Sequence, residues 1–485
     1  MFKQVLLAGV TCFALACTSV QAQALAPPAD PPTAEFTITP SPSKPGQPVT
    51  FDWTGTCRAN PCSFVWEDEG PDGPGGAEWP WGTGDRITRT FQVVGTKYAH
   101  LVVTDSSGRT AESRKQHQVQ DAPAPPPPPP PPSGNCDLSA TPANFAAQVS
   151  AATAGQTICL ASGDYGTWGG TNKAITVRRA DGATPTMRYS FGSGDSGFAL
   201  DGMSGMGGTI GSGAANITVK NSAFNTCAQF NGSQPNVVFD NNTHINSNAT
   251  CGNSRLGLNA SGVTIRNSLM QGGDADGAFI SANGVVVENN RFINLCDGAT
   301  GNHTDGLQFA DPNAIGTPDA DQSLGYNAVV RRNFFSFSGC GNGYAQALSS
   351  YDSGTQGALI EDNVIDTTRP WGIELYSDDG SIVRHNTVRY YPDLQCVFSG
   401  LVCGQIDLTT RTGSHWDPPG TGTQVYDNVG IVSLNAGSTA ARNDHNVNPA
   451  LVTYVGPLTS YAGFRLAAGS VGKGAASDGS DVGIR

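Results

Sequence analysis

The chain has 485 residues, 61 of them Gly and 32 Pro, with 14% charged residues and a formal net charge of −13. These values describe a loop-rich β protein rather than a helical one. The acidic balance argues against nucleic acid as the partner, although a local Arg cluster would still admit an anionic glycan.

The sequence opens MFKQVLLAGVTCFALACTSVQAQA: one Lys, an apolar run from Val5 to Ala16, then small residues. This reads as a secretory signal peptide over residues 1–24, cleaved after Ala22 or Ala24. Lipoprotein attachment at Cys17 is the alternative. No other run is long and apolar enough to span a membrane, so the expected location is secreted or periplasmic. Of 12 Cys, Cys12 and Cys17 fall in the signal, and the even remainder in an exported chain points to disulfides. Spacing pairs Cys57 with Cys62, Cys136 with Cys159, Cys227 with Cys251, Cys296 with Cys340 and Cys396 with Cys403. Zinc is the alternative, but no CxxC occurs.

Residues 33–120 alternate apolar and polar (AEFTITP, PVTFDW, RTFQVV, YAHLVVTD) with turn signals between, as a small β-sandwich does. The phrases PGQPVTFDW and YAHLVVTDSSGRT resemble the PKD domain, an immunoglobulin-like module of secreted bacterial enzymes. The likeness departs at the usual WDFGDG turn, which here reads VWEDEGPDG and later GTGD. Trp66, Trp79 and Trp81 are either sugar-stacking residues or core and loop residues. Residues 121–135 form a Pro-rich linker, a semi-rigid spacer and a domain boundary.

From 143 to 168 the chain, ANFAAQVSAATAGQTICLASGDYGTW, passes from helical spacing to strand. One phrase then recurs: NITVKNSAF, NVVFDNNTH, GVTIRNSLM, GVVVENNRF, AVVRRNFFS, ALIEDNVID, SIVRHNTVR and TQVYDNVGI. The phrase is a β-branched strand ending in Asn or Ser, which places Ser222, Asn242, Ser268, Asn290, Asn333, Asn363, Asn386 and Asn428 in one column. Such a period marks a solenoid. The leucine framework of a leucine-rich repeat is missing, which leaves a right-handed parallel β-helix over 136–485 with an Asn ladder along its turns. Cys296 and Cys340 then fall in the same turn of successive coils. The opening helix and strand resemble the cap of β-helix polysaccharide lyases, and the architecture resembles the pectate-lyase-like superfamily, including alginate lyases and chondroitinase B. The tail, FRLAAGSVGKGAASDGSDVGIR, resembles a tail frequent in secreted β-helix proteins.

A second strand per coil is expected at GAFIS, HTDGLQF, AQALSS, WGIELY and GQIDL. With the Leu, Ile and Phe residues inward, alternation places Gln308, Ala347, Glu374 and Asp407 outward in one column, with Tyr376 and Thr409 starting the next. In GNHTDGLQ, His303 with Asp305 is a candidate acid–base pair, unless Asp305 only caps the turn. Arg369 suits a carboxylate through its planar fork, and Trp371 is a sugar platform or a turn filler. Glu374 and Asp407, if one coil apart, have the spacing of a retaining glycosidase pair. Asp274, Asp276 and Asp305 are candidate Ca²⁺ ligands. The paired Asp-Asp with Gly-His-Gly of polygalacturonases, the Asp-Pro-His of mannuronan epimerases and the R-x-P-x-x-R of pectate lyases are absent. The solenoid's Lys173, Lys220 and Lys473 lie off these strands.

The resemblance and these residues together imply a secreted, monomeric enzyme that cleaves an extracellular polysaccharide. β-Elimination on a uronate-containing, anionic glycan is the leading expectation. His303 is then the base oriented by Asp305, Tyr376 the acid, and Arg369 or Ca²⁺ the neutraliser of the uronate, with Gln308 and Glu374 positioning hydroxyls. A glycoside hydrolase using Glu374 with Asp407 or Asp305 is the second expectation, and a non-catalytic glycan-binding surface protein the third.

Overall fold

The computed structural model describes residues 30–43, 47–68, 79–91, 95–119, 136–245, 254–296, 304–309, 325–337, 340, 346–350, 355–367, 371–376, 378–390, 404–409, 422–435 and 437–485. The chain divides into two compact units.

Near the N-terminus, strands Phe36–Thr39, Pro48–Trp53 and Arg86–Thr90 make a three-stranded sheet. Ser63–Asp68, Trp79–Thr83, Gly95–Thr104 and Thr110–Val119 make a four-stranded one. The two sheets fit the expected sandwich. Trp66 is fully buried, packs edge-on against Phe36 at 5.0 Å and donates its indole N–H to the Gly84 carbonyl at 2.8 Å. It is therefore core. Trp81 is half-buried against Phe51 at 5.1 Å. Cys57 and Cys62 are bridged.

The larger unit is a parallel β-helix, with 28 strands hydrogen-bonded from coil to coil among the described residues. The helix Phe145–Ala151 caps its first coil, and Phe145 meets Tyr165 at 5.3 Å and Trp168 at 5.6 Å over the end of the core. Lys173 Nζ donates to the carbonyls of Val149, Ser150 and Ala152, satisfying the end of that short helix. The Cys136–Cys159 and Cys296–Cys340 disulfides form as expected. Cys251, Cys396 and Cys403 lie outside the described residues.

Each recurring phrase ends in the same two-residue turn. Asn221, Asn241, Asn267, Asn289, Arg332, Asp362, His385 and Asp427 have φ between 51° and 57°, the left-handed region that Asn and Asp tolerate best. The next residue belongs to the predicted ladder. Asn333 and Asn363 show the pattern: each backbone N–H, and each side-chain amide, donates to the Oδ1 of the Asn one coil on. The ladder continues through Asn428 to Asn446.

A second ladder precedes the turn. Arg178, Asp201, Lys220, Asp240, Arg266, Glu288, Arg331, Glu361 and Arg384 are register partners in successive coils, and their charges alternate throughout. Arg331 meets Glu288 at 2.7 Å and Arg384 meets Glu361 at 2.8 Å. Pairs this accessible each contribute about 0–1 kcal/mol. Their larger effect is on register, because a slip by one coil would set like charges side by side.

The tail returns along the turn column. Arg485 pairs with Asp362 at 2.7 Å, Ser477 Oγ donates to Asp427 at 2.6 Å, and Phe464 and Ile484 pack with Phe334 and Val364. Along this stretch the turn residues are Asp362, His385 and Asp427, where the recurring phrases before Arg332 carry Asn.

The interior of the described residues holds an imidazole without a hydrogen-bond partner. His244 is buried, stacks on Phe224 at 4.4 Å, and neither ring nitrogen has a hydrogen-bond partner. Burial, aided by the Arg255 charge, pushes its pKa down to about 3. The unfolded chain therefore binds a proton that the folded chain does not between about pH 3 and 6.5, so stability falls as pH drops through that window. His244→Phe is expected to raise unfolding free energy by about 2 kcal/mol near pH 5 and by less near neutrality, measured by urea denaturation. Equal effects at both pH values would refute the account.

Candidate active site

The candidate site lies on the strand set Asp276–Ile280, Asp305–Phe309, Gln346–Ser349, Trp371–Tyr376, Gln405–Thr409 and Ile431–Leu434. Register aligns Phe279, Gln308, Ser349, Glu374, Asp407 and Ser433 in one column, with Tyr376 beside Thr409 in the next. Glu374 and Asp407 are thus direct neighbours on adjacent strands, ~4.8 Å apart. The expected place of Ala347 in this column is corrected. Leu348 pairs with Leu307 and Ile373, so Ser349 takes the place beside Gln308 and Glu374, and Ala347 joins the core.

The reason is a local break in alternation. A Cβ on Gly306 would strike the Phe335 ring, and one on Gly372 would strike Val388, both on the opposite wall of the coil. These positions face inward, as do Leu307 and Ile373 directly after them. Two consecutive inward residues return Asp305, its register partner Gln346, and Trp371 to the same outer face as Gln308 and Glu374. The hydrogen bond from Gln346 Nε2 to Glu374 Oε2, 3.2 Å, runs across that face.

Glu374 is 2% exposed and Asp407 3%. Burial pushes the Glu374 pKa up to about 7; the charges of Asp407 and Asp305 add to this, and hydrogen bonds from Tyr376 and Ser349 oppose it. Tyr376 Oη donates to Glu374 Oε1 at 3.1 Å, and Ser349 Oγ to Oε2 at 3.4 Å. Burial also raises the Asp407 pKa, against hydrogen bonds from Ser433 and Asn435 that favour its anion. Asn435 Nδ2 donates to Asp407 Oδ1 at 2.6 Å. Two carboxyls therefore stand side by side in different surroundings, one favouring the neutral acid. Trp371 and Tyr376 are half-buried toward the two ends of the Glu374 strand.

Asp305 is fully buried at the start of its strand, and its backbone N–H donates to Asp276 Oδ1 at 2.7 Å. Gln308 is buried in the column. His303 and Arg369 lie outside the described residues. Asp274 and Asp276 act electrostatically on the buried Arg255, whose pKa burial pushes down to about 10 while these two acids oppose the shift. Arg255 also donates to the Ala275 carbonyl at 2.7 Å and to that of Gly272. No group of three or more His, Cys, Asp or Glu able to hold a metal occurs among the described residues. Sequence reasoning missed Gln346, Ser349 and Asn435. Ser349 was reachable by aligning Leu348 with Leu307, whereas Gln346 and Asn435 enter through contacts between coils.

No family model matches this chain, and no curated protein matches it. Among solved structures, it is similar to the catalytic unit of a thermostable GH87 alpha-1,3-glucanase from Streptomyces thermodiastaticus strain HF3-3. Identity there is 14%, with 83% of this chain and 90% of that one covered, at a TM-score of 0.34. A PL6 alginate lyase in complex with trisaccharide is 12% identical over 72% of this chain and 94% of that one, TM-score 0.36. A structure from work on carbohydrate-binding modules of the beta-sandwich superfamily is 26% identical, covering 20% of this chain and 37% of that one, TM-score 0.17. At TM-scores this low the likenesses carry no activity to this chain. No helix of the described residues is long and apolar enough to cross a membrane.

Proposed function

We propose that this chain is a polysaccharide-cleaving enzyme that acts by hydrolysis through Glu374 and Asp407. The observation that carries this reading is the in-register pair of buried carboxyls, with Glu374 pushed up to about 7. A raised acid beside a second carboxylate is the division of labour that glycosidic cleavage needs. Glu374 gives its proton to the glycosidic oxygen as the C1–O bond breaks. Asp407, oriented by Asn435, attacks C1 to form a glycosyl ester. Water, giving its proton to the Glu374 carboxylate, then attacks C1 and releases Asp407. Strand spacing of ~4.8 Å lies near the ~5–5.5 Å of pairs that retain anomeric configuration.

β-Elimination is the second reading, favoured by the Tyr376 hydroxyl 3.1 Å from Glu374 Oε1, a proton source for a leaving oxygen. It would draw its base from His303 and its neutralising cation from Arg369. The deciding assay incubates the full chain with neutral glycans, alginate, pectate and glycosaminoglycans, with and without chelator. Ultraviolet absorbance of the unsaturated product and reducing ends are followed together. Hydrolysis predicts reducing ends alone, unchanged by chelator, with the anomer retained by proton NMR. Absorbance rising in step moves the assignment to elimination, and silence across the panel, with glycan still bound, moves it to a binding protein.

A further inference from the structure

The acid pair stands near one end of a longer column. Thr209, Gln229, Gly257, Phe279, Gln308 and Ser349 lead in register to Glu374, six strand spacings or roughly 29 Å, and among the described residues only Ser433 follows Asp407. Thr209, Gln229 and Phe279 are half-buried on this face. A side chain on Gly257 would collide with the Gln229 amide, so glycine there lets that amide lie along the column. Beside it, Asn231 pairs with Asn259, whose Oδ1 accepts from Ser281 Oγ.

The chemistry of this column changes along its length. Before the buried Gln308 and Ser349 it offers the Thr209 hydroxyl and the Gln229 amide, with the Asn231 and Asn259 amides beside them; these groups both donate and accept and so match sugar hydroxyls. Phe279 adds an apolar ring among them, a platform for the C–H face of a pyranose. Its acidic members among the described residues are Glu374 and Asp407, with Asp305 close by, and these disfavour a carboxylate on the sugars bound beside them. We propose that this column is the binding track of a neutral glycan, held mostly on the N-terminal side of the acid pair. Cleavage then releases short products from the end over Ser433. The product statement rests on the hydrolytic reading; the binding statement does not.

The test uses the full chain carrying Glu374→Gln, titrated calorimetrically with soluble neutral glucans, mannans and xylans, and with alginate and polygalacturonate. Saturable binding to a neutral polymer is expected, weakened about tenfold by either Phe279→Ala or Gln229→Ala (1.4 kcal/mol per decade), with circular dichroism confirming the fold. Affinity unchanged in both variants, tighter binding to the polyuronates, or no binding to any neutral polymer would each overturn the track. Turnover separates this from the hydrolytic reading. If Glu374→Gln alone still turns over while the Phe279 and Gln229 variants lose affinity, the track stands and hydrolysis falls. If Glu374→Gln is silent while those variants bind and give wild-type products, the reverse holds.

Discussion

Glu374→Gln is expected to lower kcat by about 10²–10⁴-fold and at the same time to make the protein more stable above neutral pH. The first effect follows from removing the proton that leaves with the glycosidic oxygen. The second follows from linkage. The folded pKa of about 7 lies above the ordinary 4.5, so between these values the folded chain binds a proton that the unfolded chain has lost. Stability therefore falls as pH rises through that window, and at pH 8 the buried carboxylate costs on the order of 3 kcal/mol. Gln keeps the shape and one acceptor oxygen, for Tyr376 at the Oε1 position or for Ser349 and Gln346 at the Oε2 position, without the charge. The kcat profile of the wild type should fall on its alkaline side with an apparent pKa near 7, and Asp407→Asn should remove turnover that added azide partly restores. A stabilised variant with full activity would show Glu374 to be a buried structural acid. A destabilised and inactive one would leave loss of fold as the cause, and Asp407→Asn with azide rescue then decides.

Asn363→Leu is expected to cost about 3–6 kcal/mol in urea denaturation, summed from the groups it strands. Asn363 Oδ1 accepts from the backbone and the side-chain amide of Asn333, both at 3.0 Å, while its Nδ2 donates to the Val330 carbonyl and to Asn386 Oδ1, both at 2.9 Å. All these residues are buried, so no water replaces the lost bonds. Because each coil of a solenoid rests only on its neighbours, damage here should also divide unfolding into two transitions. Asn446→Ala, at the half-buried end of the ladder, provides the contrast and should cost about 1 kcal/mol, since water reaches that site. A loss below about 1 kcal/mol at Asn363 would mean that the ladder is incidental to stability.

Much of the fold is local to each coil and was therefore legible. A β-branched strand, a left-handed residue and an Asn are fixed by neighbours in sequence, and their recurrence predicts the stack. The same phrases carry the charge ladder openly: Lys220, Asp240, Arg266, Glu288, Arg331, Glu361 and Arg384 precede the turn with alternating sign. Glu374 and Asp407 were also readable as members of one outward column, since each follows an Ile and precedes a Leu that must face the core.

What the sequence determined by itself is the repeat: strands, turns, the Asn column, and the disulfides at Cys57–Cys62, Cys136–Cys159 and Cys296–Cys340; that Glu374 and Asp407 fall on adjacent coils was decided by the register across the 42-residue step from Asn386 to Asn428. Strict alternation could not show that Gly306 and Gly372 turn inward beside Leu307 and Ile373, because that depends on the Phe335 ring and Val388 across the coil. Only the tertiary structure therefore brought Asp305, Gln346 and Trp371 to the acid face and put Ser349 where Ala347 was expected. It alone set the Glu374 proton affinity, because desolvation depends on everything packed around a group, and neighbours in the chain supply little of that packing.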